Sequence, residues 1–251
     1  MCLRMTLTVI RSFVSPYVRK VLACLELKGL DYEVDPITPF FGNDEFSRLS
    51  PLRRIPVLID GDFHASDSTV ICAYLEEAYD GYALLPTNPR DRARARWLEE
   101  YADTRLGDLF IWGLFYQKFV RRMVWQEEPD EARVDKVLKE EAPAALDYLE
   151  SELPDAGYLF GPLGLADIAI ASFFVNAGYV GYQIDGSRWP KAARFVSDVL
   201  EEPALSNLLS FEAIQMNASI QGRRQALLDA GAKLTEQSCG VREPRRGMIA
   251  L

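Results

Sequence analysis

The sequence is poor in side chains that bind metals. It has one histidine, His64, and its four cysteines stand far apart without a C-x-x-C motif, at Cys2, Cys24, Cys72 and Cys239. A structural zinc site takes about four cysteine or histidine ligands, and a dithiol redox site needs neighbouring cysteines. We therefore expect no metal site and no dithiol chemistry, and the thiols of a cytoplasmic protein should be reduced.

Long apolar runs and basic residues are also scarce. The sequence has no stretch of about 18 apolar residues that could span a membrane, and residues 1–5 lack the apolar core of a signal peptide. Lys and Arg number 28 against 37 Asp and Glu, for a net charge of −9. This charge repels phosphate backbones. We expect a cytoplasmic protein with neither a membrane nor a nucleic acid as partner.

The first third of the chain has the pattern of an α/β unit. A β-type run at 6–10 is followed by Ser15-Pro16, a favoured helix start, and by helical spacing up to Gly29. A second strand follows at 31–34. Two further runs, 55–59 and 63–65, flank an Asp-Gly turn and precede a helix that opens near residue 67. The order βαβ-ββα predicts a mixed four-stranded sheet in a domain at 5–84.

The second part of the chain is helical in pattern. The loop-forming stretch Leu85–Pro89 predicts a linker at 85–92. Apolar residues at helical spacing then predict an all-α domain over 93–220, with Pro143 as a kink. Residues 221–251 lack such a pattern and are expected to be a partly disordered tail.

Three motifs resemble those of one family. Residues 15–21, Ser-Pro-Tyr-Val-Arg-Lys-Val, resemble the first-helix entry of serine-type glutathione S-transferases, especially the plant tau-like and related bacterial members. Residues 50–58 resemble their "NPxxKIPVL" stretch, and residues 66–71 their "ESxxI" stretch. The resemblance implies a thioredoxin-like N-terminal domain, an all-helical C-terminal domain, glutathione as cosubstrate and a homodimer.

Ser15 is the candidate for activating the glutathione thiol. The thiolate is the nucleophile, and an ordinary cysteine thiol has a pKa of about 8.5. A hydroxyl at a helix N-terminus can donate a hydrogen bond to the sulfur anion, where the helix dipole also favours negative charge. Ser12, in the same loop, is the competing candidate, and Ser15 could also serve only as an N-cap.

According to the resemblance, residues 50–58 bind the backbone of glutathione. It implies a cis bond before Pro56, with the backbone of Ile55 pairing with the cysteinyl part of glutathione as an added strand. Arg54 aligns with a lysine that contacts the glycine end of glutathione in tau-like members, and Arg53 could take this role instead. An edge-strand proline and solvated arginines are the alternatives.

The third motif supplies the other end of the ligand. By resemblance, Ser68 and the helix start hold the γ-glutamyl carboxylate, and Asp67 meets the ligand ammonium in place of the usual Glu. A capping cluster is the alternative, and the two roles are compatible.

The substrate side of the site is predicted from aromatic residues. Trp112, Phe115, Tyr116 and Phe119 are candidates for an apolar pocket, although core packing is the favoured explanation of such a pattern. The expected reaction is attack of the thiolate on an apolar electrophile, or reduction of a hydroperoxide. The alternative is a non-enzymatic ligand-binding or regulatory protein on the same fold.

Overall fold

The computed structural model describes residues 6–219 and 222–246, which form two compact units. One unit combines the described residues of Met1–Tyr82 with those of Pro203–Leu251, and the other is Ala83–Glu202. The sequence placed residues 203–220 in the helical domain. The described part of this stretch instead packs with the N-terminal unit. Its buried side chains Glu212 and Gln215 bind Arg19 and the backbone of Phe13 there.

The N-terminal unit is built on a four-stranded mixed sheet with the order β2-β1-β3-β4. The strands are β1 Leu7–Arg11, β2 Tyr32–Pro36, β3 Val57–Asp60 and β4 Phe63–Ser66. Strand β1 runs parallel to β2 and antiparallel to β3, and β4 is antiparallel to β3. The βαβ-ββα order predicted a mixed four-stranded sheet, and the resemblance implied a thioredoxin-like domain; the structure confirms both.

Three helices and one turn accompany the sheet: α1 Pro16–Leu27, a 3-10 turn Pro39–Phe41, α2 Asp44–Leu49 and α3 Ser68–Ala78. Helix α1 begins where the Ser15 side chain accepts a hydrogen bond from Val18 N, and it ends before Gly29, whose φ of 62° suits glycine. The 3-10 turn and α2 had no prediction because elements of three and six residues show too little periodicity.

The second unit is helical throughout its regular elements. They are α4 Pro89–Tyr101, a π-helical continuation Ala102–Trp125, α5 Glu131–Lys136, a π-helical stretch Val137–Glu141, α6 Ala142–Glu152, α7 Leu165–Tyr179 and α8 Pro190–Glu201. Asp167 accepts a hydrogen bond from Gly164 N at 2.7 Å, which caps α7 although Gly164 has no side-chain oxygen. No helix within the described ranges combines enough length and apolar character to span a bilayer.

The chain then returns to the N-terminal unit through α9 Pro203–Asn217 and α10 Arg223–Asp229. Beyond α10, Val34 N donates to Lys233 O, and Thr235 N donates to Val34 O, both at 2.9 Å. These bonds add a short parallel segment to the free edge of β2. Asp35 holds the next turn through Cys239 N. Residues 233–239 of the predicted tail are therefore held at the sheet edge by hydrogen bonds.

Candidate functional site

The strand register brings the three sequence motifs to one end of the sheet. Ile10 in β1 pairs with Val57 in β3, and Val57 pairs with Ser66 in β4. The loop that leads to Ser15 follows Ile10. The Ile55–Pro56 pair comes just before Val57, and α3 starts just after Ser66. All three segments therefore leave the sheet at the same end.

Ser15 is the N-cap residue of α1 at this end. Its Oγ accepts from Val18 N at a long 3.4 Å, and its backbone is extended, with φ −85° and ψ 127°. The side chain is half-buried. A hydroxyl that accepts one bond still has its proton to donate, so capping and a hydrogen bond to a ligand sulfur are compatible.

Ser12 has a different environment in the same loop. It is 6% exposed, and its Oγ accepts a 2.9 Å hydrogen bond from Gln215 Nε2 on α9. The Oε1 atom of the same glutamine accepts from Phe13 N at 2.9 Å. Gln215 therefore fixes the loop between β1 and α1, and Ser12 serves as one of its anchor points. Sequence reasoning missed Gln215, which is about 200 residues away and belongs to no local motif.

The Ile55–Pro56 peptide bond is cis, as the resemblance implied. Both residues are buried. Within the described parts of the chain, no hydrogen bond uses the backbone N–H or C=O of Ile55. Free backbone polar groups beside the end of a strand can pair with an added peptide segment.

Asp67 and Ser68 form the start of α3. Asp67 Oδ1 accepts from Thr69 N at 3.0 Å and from Val70 N at 3.3 Å, so the carboxylate caps the helix and Oδ2 remains available. The φ of Asp67 is +89°, a conformation that costs energy for a residue with a side chain and that is often found at functional sites. Ser68 is 3% exposed, and no hydrogen bond within the described ranges uses its hydroxyl.

The two neighbouring arginines differ in what they contact. Arg53 donates to Ser47 Oγ and, at 2.9 Å, to Gly42 O, so it holds the segment around α2. Arg54 is exposed, and its guanidinium has no hydrogen bond or ion pair among the described residues. Its backbone is fixed by Ser50, whose Oγ donates to Arg54 O at 2.8 Å. This geometry leaves Arg54 the more accessible cation.

Lys20 connects the two helix N-termini. It is 1% exposed, and its Nζ donates to Thr69 Oγ1 in the first turn of α3 at 3.2 Å. This contact joins the second turn of α1 to the residue after Ser68. The motif that contains Lys20 was recognised from the sequence, but its burial was not, because lysine is rarely buried.

The four predicted pocket residues lie in the helical unit on the stretch Ala102–Trp125. They form two ring pairs at a spacing of four residues, Trp112 with Tyr116 at 5.6 Å and Phe115 with Phe119 at 5.0 Å. Phe115 and Tyr116 are buried, whereas Trp112 and Phe119 are half-buried. Buried aromatic pairs stabilise a core. A role for these residues in binding an electrophile stays a prediction.

Groups of three or more His, Cys, Asp or Glu side chains suited to a metal ion do not occur in residues 6–219 and 222–246. The polar groups at the end of the sheet are instead hydroxyls, backbone groups, one carboxylate and one guanidinium. This set suits a zwitterionic peptide ligand with carboxylates at both ends.

Both units match models of known domains. Residues 10–83 match the glutathione S-transferase N-terminal domain, and residues 111–203 match the glutathione S-transferase C-terminal domain. The two matches occur in chain order and fall in different units.

Individual relatives agree with these matches. A probable glutathione S-transferase of Solanum tuberosum is 32% identical over 163 residues, which is 61% of this chain and just under two thirds, 65%, of the relative. A glutathione S-transferase structure from Rhodospirillum rubrum F11 has a TM-score of 0.74 at 26% identity, over 82% of this chain and 92% of that chain. A maleylacetoacetate isomerase from Methylobacterium extorquens AM1, with bound malonate and glutathione, has a TM-score of 0.67 at 26% identity, over 82% and 97%.

Proposed function

Because this chain belongs to the glutathione S-transferase family, we propose that it activates the glutathione thiol through Ser15 and transfers the sulfur to a small apolar electrophile. The observation that carries this proposal is the convergence of three segments at one end of the sheet. Each segment offers groups that match a different part of glutathione. The relatives from Solanum tuberosum and Rhodospirillum rubrum F11 are both named as glutathione S-transferases.

In this proposal each part of glutathione has its own partner. Ser68 and the first turn of α3 bind the γ-glutamyl carboxylate, and the free Oδ2 of Asp67 meets the ammonium. The backbone of Ile55 pairs with the cysteinyl residue. Arg54 binds the glycine carboxylate in a bidentate manner. Asp67 is one methylene shorter than the Glu of the family motif, so its contact with the ammonium is longer or passes through water.

Ser15 then acts on the sulfur by hydrogen bonding rather than by taking a proton. Its hydroxyl donates to the thiolate, and the N-terminus of α1 adds a favourable dipole. A hydrogen bond to a charged group stabilises it by about 1.5–3 kcal/mol, which corresponds to a fall of about one to two units in the pKa of the thiol. The proton leaves to solvent and the thiolate is the nucleophile.

Conjugation is the favoured reaction of this site. The sulfur forms a bond to an electrophilic carbon, and the leaving group departs with its electron pair. Disulfide exchange is disfavoured because no cysteine lies between Ser12 and Ser15. The same thiolate can attack the oxygen of a hydroperoxide, so peroxidase activity is the secondary expectation.

The decisive experiment measures the pKa of the bound glutathione thiol from the ultraviolet absorbance of its thiolate as a function of pH. Ser15→Ala should raise this pKa by about one unit or more and lower turnover of an activated aryl chloride about tenfold or more. Ser12→Ala is the matched control, because Ser12 is buried in the same loop, with its hydroxyl against Gln215. Equal effects of the two substitutions, or none from Ser15→Ala, would contradict the role of Ser15.

Binding is measured first by calorimetric titration with reduced glutathione. Ser68→Ala and Arg54→Met should each weaken binding, whereas Arg48→Met, which removes another exposed arginine, should not. Undetectable binding at millimolar glutathione would overturn the proposal and favour the non-enzymatic alternative.

A further inference from the structure

A cavity of about 380 Å³ lies within the N-terminal unit, and its lining shares no residue with the proposed glutathione site. It is bounded by the end of α1, the start of β2, α9 and the segment after α10. Its lining includes Arg11, Leu30, Tyr32, Phe211 and Ala232. This volume is within the range of small-molecule sites.

Arg11 is a buried cation whose donors are not all used. The residue is 2% exposed, and its Nε and Nη1 atoms have no hydrogen-bond partner. Its Cζ lies 3.1 Å from the centroid of the Phe13 ring, so one face of the guanidinium is covered by an aromatic side chain. A guanidinium has five N–H donors, and burying it without acceptors is costly.

The carboxylates nearest to this cation have other partners. Glu212 binds Arg19 with both oxygens, through Arg19 Nη2 at 2.7 Å to each. Glu26 accepts from the Tyr32 hydroxyl at 2.6 Å.

Two opposite charges at the rim of the cavity pair with each other. Asp31 forms an ion pair with Lys233 at 2.7 Å. The buried positive charge of Arg11 is therefore left without an anionic hydrogen-bond partner among the described residues. Desolvation by burial lowers the pKa of Arg11 to about 9, and a bound anion would raise it again.

We propose that this cavity binds a small monocarboxylate with an apolar body, whose carboxylate pairs with Arg11. The fork of a guanidinium matches a carboxylate in two parallel hydrogen bonds. Leu30, Val34, Phe211 and Ala232 supply apolar lining for the body of the ligand. A phosphate dianion fits less well, because the carboxylate of Glu26, whose partner is the neutral Tyr32 hydroxyl, also lines the cavity and repels a second negative charge.

The test is calorimetric titration of the full chain with benzoate, beside the neutral benzyl alcohol and inorganic phosphate. Benzoate should bind, and Arg11→Met should weaken its binding about tenfold or more. Leu30→Trp, which fills the cavity and keeps Arg11, should weaken it comparably. Arg48→Met is the control for loss of an exposed cation. Circular dichroism and thermal unfolding establish that each variant is folded.

Four results would overturn the inference: no benzoate binding at millimolar concentration, binding unchanged in Leu30→Trp, equal binding of benzyl alcohol, or tighter binding of phosphate. If Arg11→Met does not fold, Leu30→Trp alone decides. The titration is repeated with saturating reduced glutathione. Benzoate binding that glutathione abolishes would assign the ligand to the glutathione site, whereas unchanged binding supports a separate site.

Discussion

Replacement of Glu212 by Gln should destabilise the N-terminal unit strongly. Glu212 on α9 and Arg19 on α1 each have side chains 1% exposed, and they form a bidentate ion pair. The pair therefore joins an element near the C-terminus to the helix that follows Ser15. Glutamine keeps the size of the side chain and removes its charge, so the buried Arg19 would lose the carboxylate that binds it in a bidentate manner.

The expected loss follows from this burial. Removing one partner of a buried ion pair costs about 3–5 kcal/mol, mainly because the other charge is left unpaired in a poorly solvated site. At about 1.4 kcal/mol per factor of ten, the amides of α1 should open roughly a hundredfold to a few thousandfold more often. An exposed pair would contribute about 1 kcal/mol or less.

The assay must observe the N-terminal unit directly. All four tryptophans, Trp97, Trp112, Trp125 and Trp189, lie in the helical unit, so their fluorescence does not report on α1. Hydrogen exchange of the amides in α1 and β1 gives the free energy of opening where the pair acts. Tryptophan fluorescence during urea unfolding then follows the other unit in the same samples.

A double variant distinguishes the net contribution of the ion pair to stability from the penalty of removing only one of its charges. Arg19→Met with Glu212→Leu removes both charges and keeps apolar volume, and it should recover most of the loss. A change below about 1 kcal/mol in Glu212→Gln would refute the reasoning. So would a double variant as unstable as the single one, because the loss would then come from packing rather than from an unpaired charge.

Two further predictions concern other buried groups. Burial raises the pKa of Asp167 to about 6, so the folded state binds a proton at this carboxyl more tightly than the unfolded state does. The free energy of unfolding of the helical unit should therefore rise by about 1 kcal/mol from pH 7 to pH 5. This gain is lost again as the pH rises through 6. Urea unfolding followed by tryptophan fluorescence measures this gain, and Asp167→Asn should lack it. Gln215→Leu removes the acceptor of Phe13 N, so exchange of that amide should accelerate about tenfold or more, and the exposed Asn217→Leu should leave it unchanged. Unaltered exchange at Phe13 would show that Gln215 does not fix the loop.

The sheet was predictable because its signals are local. The Ser15-Pro16 start, the Asp60-Gly61 turn and the Asp67 cap each act within a few residues, and they predicted one parallel and one antiparallel strand pair. The cis bond before Pro56 came from resemblance rather than from local physics. The motifs therefore predict only those parts of the candidate site that are formed by residues close together in the sequence.

The remaining features depend on contacts between distant residues. Gln215 and Glu212 lie on an apolar-patterned helix that the sequence assigned to the helical domain, and only their partners Ser12 and Arg19 reveal their role. The choice between Arg53 and Arg54 likewise needed the positions of Gly42 and Ser47, which the sequence does not give. Periodicity predicts that a face is buried and does not identify which element covers it.

The return of α9 and the segment after α10 to the first unit affects the order of events during synthesis. The helical unit is one continuous stretch of chain, whereas the unit that carries Ser15 is interrupted by it. At roughly 5–20 residues per second, translation of the intervening stretch takes on the order of ten seconds. During that interval Glu212, which pairs with Arg19, and the segment that pairs with the edge of β2 have not yet been synthesised. The N-terminal unit, whose synthesis begins first, is therefore the last to be complete.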